Sequence, residues 1–231
     1  MDERVRRTVE TYEENAGTYA DVHGGDRASV ADMVEHFVDA VGGTGSGGDR
    51  RRVLDVGPGP GWESGALADH GFDVTAVDLT RSFLEETRER DPGVGVVGGD
   101  MRSLPFAEGA FDGLWACASL LHVPREDVPG TLAEYERVLA AGGVAVASVQ
   151  RSRGDAEADA GGADATTADP TGGSASTTAD EEPSPYDEDR RYFELYEPRE
   201  LRAAFEEAGF GDVAVEPGSE DRWVRATARI D

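Results

Sequence analysis

The sequence of 231 residues contains no lysine, and all 22 of its basic residues are arginine. Aspartate and glutamate number 48, so that the formal net charge is −26. A carboxylate-rich surface without lysine stays hydrated in concentrated salt, where charge repulsion is screened over roughly 3 Å at about 1 M ionic strength. The composition therefore predicts a protein of a salt-rich cytosol. The lack of clustered basic residues argues against a nucleic-acid partner.

Cysteine and long apolar runs are scarce as well. Cys117 is the single cysteine, so an internal disulfide and a CxxC metal motif are excluded, and its apolar neighbours predict a buried core thiol. His23, His36 and His70 lack partners at metal-ligand spacing, so we expect no metal site. No run approaches about 18 consecutive apolar residues, and residues 1–7 lack the apolar centre of a signal peptide. We therefore expect a cytoplasmic protein without a membrane-spanning segment.

Apolar runs of strand length alternate with stretches of helical spacing. Residues 3–40 carry apolar side chains at intervals of three and four, which predicts helix. After Arg52 the predicted strands are 53–56, 74–77, 94–97, 111–118, 144–149, 212–216 and 222–229, and the predicted helices are 62–70, 82–90, 128–140 and 198–208. This alternation predicts an α/β fold whose mostly parallel sheet is covered by helices on both faces. Ligands of such sheets bind at the carboxyl ends of the strands.

Two segments have compositions that cannot form a core. Residues 42–48 are almost entirely glycine and predict a flexible linker. Residues 151–189 are rich in Gly, Ala, Asp, Thr and Ser, which predicts a disordered acidic insertion. We expect a single domain over residues 1–231, in which residues 1–41 form an N-terminal helical cap.

The most informative segment lies where the first predicted strand ends. Asp55 lies in this strand, and Gly57, Gly59 and Gly61 follow it before a predicted helix. Glycine at such positions permits a tight turn and lets a ligand lie against the main chain. Asp78 ends the second predicted strand, where its carboxylate can accept hydrogen bonds from both ribose hydroxyls of an adenosine ligand.

Two classes of nucleotide site compete for this pattern. The dinucleotide fingerprint G-x-G-x-x-G is matched imperfectly, since a start at Gly59 places Ser64 at the third glycine. A nicotinamide-dependent oxidoreductase is therefore one alternative. A chain without lysine cannot supply the Tyr-x-x-x-Lys pair that one large class of these enzymes uses.

Asp55 followed by Gly57-x-Gly59-x-Gly61 resembles the first motif of class I S-adenosylmethionine-dependent methyltransferases. Four further motifs continue the resemblance in order: Asp78, Gly99-Asp100-Met101, the fourth strand at 111–116, and the turn at 138–144, where Ala141 replaces the usual proline. The resemblance covers about residues 8–150 and 190–216. It implies a Rossmann-like sandwich with a mostly parallel seven-stranded sheet, an antiparallel last strand and helices on both faces.

The resemblance also implies S-adenosylmethionine as the cofactor and assigns residues to it. Three glycines would approach its methionyl part, Asp78 its ribose and Asp100 its adenine amino group. The full cofactor set that we predict is Asp55, Gly57, Gly59, Gly61, Asp78, Leu79, Asp100, Met101, Ser119 and Tyr19. Met101 and Leu79 would pack on the adenine ring, and Tyr19 belongs to the N-terminal segment that covers the cofactor in many small members.

The reaction that the family performs is displacement of a methyl group from a sulfonium, for which alignment of the reactants supplies most of the effect. A base is needed only if the acceptor loses a proton, and His122, just past the fourth strand, is the candidate catalytic residue. A structural role for His122 in its loop is the competing interpretation. Tyr12, Tyr19 and Tyr196 either line an acceptor pocket or pack.

The resemblance does not identify the molecule that accepts the methyl group. Quinone-type C-methylation, a tRNA base and a small metabolite are all compatible with these motifs, and the composition favours a small molecule. A third hypothesis is a partner subunit that binds S-adenosylmethionine without turnover, with the acidic insertion as a docking surface.

Overall fold

The computed structural model of the chain describes residues 1–25, 28–42, 50–152, 186, 188–218 and 222–231. Its helices are α1 (Glu3–His23), α2 (Ala28–Val41), α3 (Trp62–Asp69), α4 (Arg81–Arg90), α5 (Val128–Val138) and α6 (Pro198–Glu207). Its strands are β1 (Arg52–Val56), β2 (Asp73–Asp78), β3 (Gly95–Gly98), β4 (Phe111–Cys117), β5 (Leu139–Gln150), β6 (Gly211–Pro217) and β7 (Trp223–Arg229).

The seven strands form one sheet in the order β3-β2-β1-β4-β5-β7-β6. The pairs among β1 to β5 are parallel, whereas β7 is antiparallel to both of its neighbours. β6 and β7 form the hairpin that Pro217 and Gly218 predict, and the Gly218 N–H donates to the Trp223 carbonyl at 2.8 Å. The predicted architecture, with its antiparallel last strand, is therefore confirmed.

Alternate strand residues enter one of two hydrophobic layers, because successive side chains of a strand point to opposite faces. Leu54 and Val56 of β1 join the layer that α5 and α6 cover, through Leu132 and Phe205 among others. Val53 of β1 joins the second layer, beneath α2 and α3. Helices thus cover both faces, and the functional loops are left at the carboxyl edge of the sheet.

The N-terminal helical prediction over 3–40 divides into two helices. α1 ends where the Gly24 N–H donates to the Ala20 carbonyl at 2.9 Å, and α2 begins at Ala28. Asn15 kinks α1 with φ −127°, and its side-chain amide donates to the Thr11 carbonyl at 2.8 Å. Local spacing predicted the helices but not the break, because periodicity continues across it.

The fifth strand begins earlier than predicted. Leu139 already pairs with Phe111 of β4. The register between β4 and β5 then shifts at the glycine turn, and pairing resumes with Val144 opposite Gly113. The absence of the usual proline at Ala141 predicts a loosened turn, yet hydrogen bonds at 3.1 Å and 2.9 Å join Gly142 and Gly143 to Ile230. Ile230, which directly follows β7, thus holds the turn in place.

Other sequence-based expectations fall on residues that the structure does not describe, or need correction. Of the linker predicted at 42–48, the structure describes only Gly42. Of the insertion predicted at 151–189, residues 153–185 and 187 lie outside the described residues. Cys117, predicted as a buried core thiol, packs against the second hydrophobic layer at the end of β4 but is only partly buried, and the Ser148 hydroxyl lies 3.4 Å from its sulfur. In the described part of the chain, the helices are too short or too polar to cross a bilayer.

Candidate active site

The site lies where β1 sits between β2 and β4, at the point from which the chain winds outward in both directions. In an open parallel sheet the crevice beside such a switch point receives the ligand. The loops after β1, β2 and β4 meet there, and they carry most of the predicted site residues. The fold therefore brings together residues that are far apart in the sequence.

The glycine loop after β1 takes conformations that other residues avoid. Gly57, Gly59 and Gly61 have φ of +73°, +53° and +82°, in the left-handed region. A methyl group in place of the Gly57 hydrogen would lie 2.5 Å from the Ser119 Cβ. At Gly61 the same group would lie 2.7–2.9 Å from atoms of Thr87 in α4. Close packing within the protein thus requires glycine at positions 57 and 61, in addition to the ligand role predicted for them.

Two carboxylates lie beside this loop. Asp55 is 1% exposed, and the Ser64 hydroxyl donates to its Oδ2 at 2.5 Å. Burial raises the pKa of Asp55 to about 7; the Ser64 hydrogen bond opposes this shift and the charge of Asp78 adds to it. Burial likewise raises the pKa of Asp78 to about 6, against hydrogen bonds from Thr80. Both acids are destabilised in their ionised form, which marks this edge as a candidate ligand site.

Asp78 ends β2 as predicted and is half-buried. The Thr80 N–H donates to its Oδ1 at 2.7 Å, and its own carbonyl accepts from the Gly99 N–H at 3.0 Å. A carboxylate has about four lone-pair sites, so Asp78 keeps acceptor capacity beyond the hydrogen bonds that Thr80 and Leu79 donate to it. Leu79, next along the chain, is half-buried at the start of the loop.

Asp100 is already paired within the protein. Arg102 donates to it at 3.0 Å and 2.7 Å, and also bridges to Asp127 at 2.8 Å. Burial would raise the pKa of Asp100, but the Arg102 pairing outweighs it and the pKa is lowered. A surface cavity of about 410 Å³ opens here, lined by Asp100, Arg102, Ser103, Glu126, Asp127 and Gly130. Met101, next along the chain, is partly buried and packs against the core, with the Tyr135 hydroxyl 3.4 Å from its sulfur.

The turn after β4 is strained and contains a buried hydroxyl. Ala118 has φ +52°, a conformation that costs an alanine roughly 1 kcal/mol or more. Ser119, which is 4% exposed, has no hydrogen-bond partner for its Oγ among the residues that the structure describes. A buried polar group without a partner is costly unless a ligand satisfies it. With the open main chain of the glycine loop opposite, this hydroxyl can exchange a hydrogen bond with a polar group of a ligand.

His122 lies in the same turn, and the protein engages both of its ring nitrogens. Nδ1 lies 2.7 Å from the Tyr192 carbonyl oxygen, and Nε2 lies 2.9 Å from the Tyr12 hydroxyl. Burial lowers the pKa of His122 to about 4; the Tyr192 carbonyl opposes this shift and the charge of Arg191 adds to it. The imidazole is therefore neutral at pH 7.

α1 covers this edge of the sheet. Tyr19 lies over the glycine loop, with its ring 3.7 Å from the position of a Cβ on Gly59. Glu13 accepts hydrogen bonds from the backbone N–H groups of Arg81 and Ser82 and so caps the N-terminus of α4. Tyr196 does not join this layer, since it is 2% exposed and packs in the core.

Sequence reasoning missed residues at the end of the predicted insertion and just after it. Asp189, Arg191 and the Tyr192 carbonyl all lie beside Tyr12 and His122, and Arg191 pairs with Asp189 at 2.6 Å. The available signal was a pair of arginines followed by an aromatic cluster, at the point where order was predicted to resume.

Known proteins with similar sequences include methyltransferases. A family model described as "Methyltransferase domain" matches residues 54–147. The biotin biosynthesis bifunctional protein BioHC of Cellvibrio japonicus is 31% identical over 144 residues, 62% of this chain and 27% of that protein. A demethylmenaquinone methyltransferase of Renibacterium salmoninarum is 38% identical over 106 residues, 46% of this chain and 42% of that protein. The chain thus spans less than half the length of these curated relatives.

A solved structure extends the likeness over the whole fold. The 1,6-didemethyltoxoflavin-N1-methyltransferase of Burkholderia thailandensis, solved with 1,6-didemethyltoxoflavin and S-adenosylhomocysteine, superposes with a TM-score of 0.67. It is 21% identical, and the match covers 98% of this chain and 88% of that chain. The chain thus has the Rossmann-like fold of that structure, and residues 54–147, which match the methyltransferase domain family, contain the glycine loop, Asp78, Asp100 and His122.

Proposed function

We propose that the protein transfers a methyl group from S-adenosylmethionine to a small-molecule acceptor. The observation that carries the proposal is the unpartnered Ser119 hydroxyl, buried at 4% exposure against the Gly57 turn at the carboxyl edge of β1 and β4. The match of residues 54–147 to the methyltransferase domain family supports the reaction class. The methyltransferases among the relatives support a small-molecule acceptor.

Five of the predicted residues have a specific task in this proposal. Asp78 accepts hydrogen bonds from the ribose hydroxyls, Ser119 satisfies a polar group of the methionyl part, and Tyr19 covers the glycine loop. Asp100 and Leu79 border the adenine. The cofactor supplies a methyl group on a sulfonium, which is a good leaving group. The protein aligns the acceptor with that methyl group and excludes water, and such positioning can contribute about 7–11 kcal/mol to catalysis.

The domain bounds and the cellular environment of the protein are part of the same proposal. Residues 1–231 act as one methyltransferase domain, with residues 1–41 as its cap and 151–189 as an acidic insertion. The net charge of −26 and the absence of lysine suit a salt-rich cytoplasm. A nucleic-acid acceptor is disfavoured on the same ground.

The first experiment is calorimetric titration of S-adenosylmethionine and S-adenosylhomocysteine into the full chain in multimolar KCl, with NADH as the competing ligand. We expect micromolar binding of both sulfur compounds and no heat from NADH. Binding of NADH alone would replace the proposal with the oxidoreductase alternative. Tight binding without transfer to any acceptor would favour the non-catalytic subunit.

Asp78→Asn is expected to weaken S-adenosylhomocysteine about 10- to 100-fold, because each hydrogen bond to a charged acceptor contributes about 1.5–3 kcal/mol. Since the pKa of Asp78 is raised to about 6, wild-type affinity should fall as the pH drops below 6, whereas affinity of the variant should not. Asp73→Asn, at the exposed start of the same strand, is the matched control. Unchanged affinity in Asp78→Asn would contradict the ribose assignment.

A further inference from the structure

The hydrogen-bond roles of His122 and Tyr12 are fixed by their outer partners. The Tyr192 carbonyl oxygen, 2.7 Å from Nδ1, can only accept, so Nδ1 carries the proton of the ring. The Nε2 atom of the neutral imidazole is then an acceptor, and the Tyr12 hydroxyl at 2.9 Å donates to it. The proton of Tyr12 therefore already points at His122.

Arg191 approaches the same Tyr12 oxygen. Its Nη1 lies 3.4 Å from that oxygen, and a guanidinium can only donate. The guanidinium carbon also lies 5.4 Å from the centre of the Tyr12 ring and 5.0 Å from that of Phe193. A cation in this position stabilises negative charge that develops on the Tyr12 oxygen. Among the contacts of the described residues, the oxygen has one lone pair left with which to accept a further proton.

His122 cannot turn away from this arrangement, because residues 188–196, which we call the strap, hold it. The Tyr192 N–H donates to the Thr8 hydroxyl of α1 at 2.8 Å. Two residues on, the Glu194 N–H donates to the Leu121 carbonyl at 2.7 Å. α1, the strap and the turn after β4 thus form one hydrogen-bonded layer. Within this layer the Tyr12 hydroxyl lies against Nε2 of His122.

The surroundings of the Tyr12 and His122 rings are aromatic. The ring centre of Tyr12 lies 5.6 Å from that of Tyr19 and 5.3 Å from that of Phe83. Phe193 lies 4.9 Å from the His122 ring. Aromatic walls of this kind favour a planar aromatic ligand through edge and offset contacts.

We propose that Tyr12 is the catalytic acid–base residue that meets the acceptor, with His122 behind it as the positioning residue that receives its proton. The acceptor is then a planar aromatic molecule whose reacting hydroxyl loses a proton. This inference rests on the proposed function and names the class of its acceptor.

The step balances in atoms and charge. The methyl group bonds to the acceptor oxygen as its bond to the sulfonium breaks and leaves a neutral sulfide. The hydroxyl proton passes to the Tyr12 oxygen while the Tyr12 proton passes to His122 Nε2. The site loses one positive charge at sulfur and gains one at the imidazole. Because burial raises the pKa of Tyr12 to about 12, despite the nearby charge of Arg191, Tyr12 transfers protons without resting as a phenolate.

Histidine NMR tests the hydrogen-bond chain without any acceptor, since the chain has four histidines and His122→Gln identifies the signal of interest. We expect the Nδ1–H tautomer of His122 at pH 7 and a shift of the Nε2 resonance in Tyr12→Phe. Tyr196→Phe, which removes a buried hydroxyl with no hydrogen bond in the described structure, should leave the signal unchanged. An Nε2–H tautomer would overturn the inference, because Tyr12 could then not donate to His122.

Turnover tests the acid–base role. The probes are 1,4-naphthohydroquinone, whose hydroxyls carry protons, and pyridine-3-carboxamide, whose ring nitrogen carries none. We expect methylation of the hydroquinone, with kcat lowered about 100-fold or more in Tyr12→Phe and unchanged affinity for S-adenosylhomocysteine. His122→Gln should also be slow, and its residual rate should rise with pH as the acceptor ionises in solution. Tyr196→Phe should behave as wild type.

The remaining outcomes separate this inference from the proposed function. Failure to bind S-adenosylhomocysteine would defeat the function itself. Binding together with methylation of the pyridine probe alone, or of neither probe, would overturn the inference. Full activity of Tyr12→Phe on the hydroquinone would overturn it as well.

Discussion

Asp55→Asn is expected to raise the free energy of unfolding by about 2–4 kcal/mol at pH 8. Asp55 is 1% exposed, and its pKa is raised to about 7, chiefly by burial. An unfolded aspartate ionises near pH 4. Between about pH 4 and 7 the folded state therefore holds a proton that the unfolded state has lost, and stability falls as the pH rises. Asparagine keeps an oxygen for the Ser64 hydroxyl and removes the buried charge.

Chemical denaturation in molar KCl at pH 4.5, 6 and 8 measures the effect. The gain should be smallest at pH 4.5 and should reach its full size above pH 7. Asp73→Asn, on the exposed end of β2, should show no comparable gain. An increase of equal size at all three pH values would mean that packing, and not the buried charge, is responsible. A stabilising substitution at Asp55 would indicate that the native carboxylate is retained for function.

Gly61→Ala is expected to destabilise the fold by about 3 kcal/mol. The added methyl group would lie 2.7 Å from Oγ1, 2.8 Å from Cγ2 and 2.9 Å from Cα of Thr87, and the backbone has φ +82°. Both the steric clash and the left-handed conformation oppose a side chain, and a rotamer change of Thr87 cannot move its backbone out of the way. Thermal or chemical denaturation in molar KCl measures the loss.

Gly65→Ala, inside α3, the helix that Gly61 precedes, is the matched control. Its nearest neighbour would be the Asp91 carboxylate at 3.8 Å, and we expect a gain of about 0.5–1 kcal/mol from the better helix former. Thr87→Ala should recover part of the loss in Gly61→Ala, since it removes two of the three close atoms. Equal stability of Gly61→Ala and wild type would disprove the packing role of Gly61.

The framework of the site was predictable from local sequence. The strand that contains Asp55, the glycines after it and Asp78 at the end of β2 are each encoded within a few residues, and the order of strands and helices follows from alternating periodicity. Parallel strands place their carboxyl ends at one edge, so these residues had to meet.

The Tyr12–His122 pair was not predictable in the same way. The pair forms because α1 lies across the carboxyl edge of the sheet and because the strap returns to it after a long low-complexity stretch. No local sequence pattern predicts either contact. Asp100 illustrates a second limit. The motif predicts its position correctly, but only coordinates reveal its pairing with Arg102 at 2.7 Å. Met101 sits in the predicted motif and yet directs its sulfur to Tyr135 in the core.

The strap is anchored at the sheet just where the chain leaves it. The Tyr196 N–H donates to the Gln150 carbonyl at 3.0 Å, and the Ser152 N–H donates to the Tyr196 carbonyl at 2.9 Å. The Gln150 carbonyl belongs to the last residue of β5, so the strap is joined by hydrogen bonds to the end of a central strand. The strap therefore takes its position beside His122 from the sheet itself.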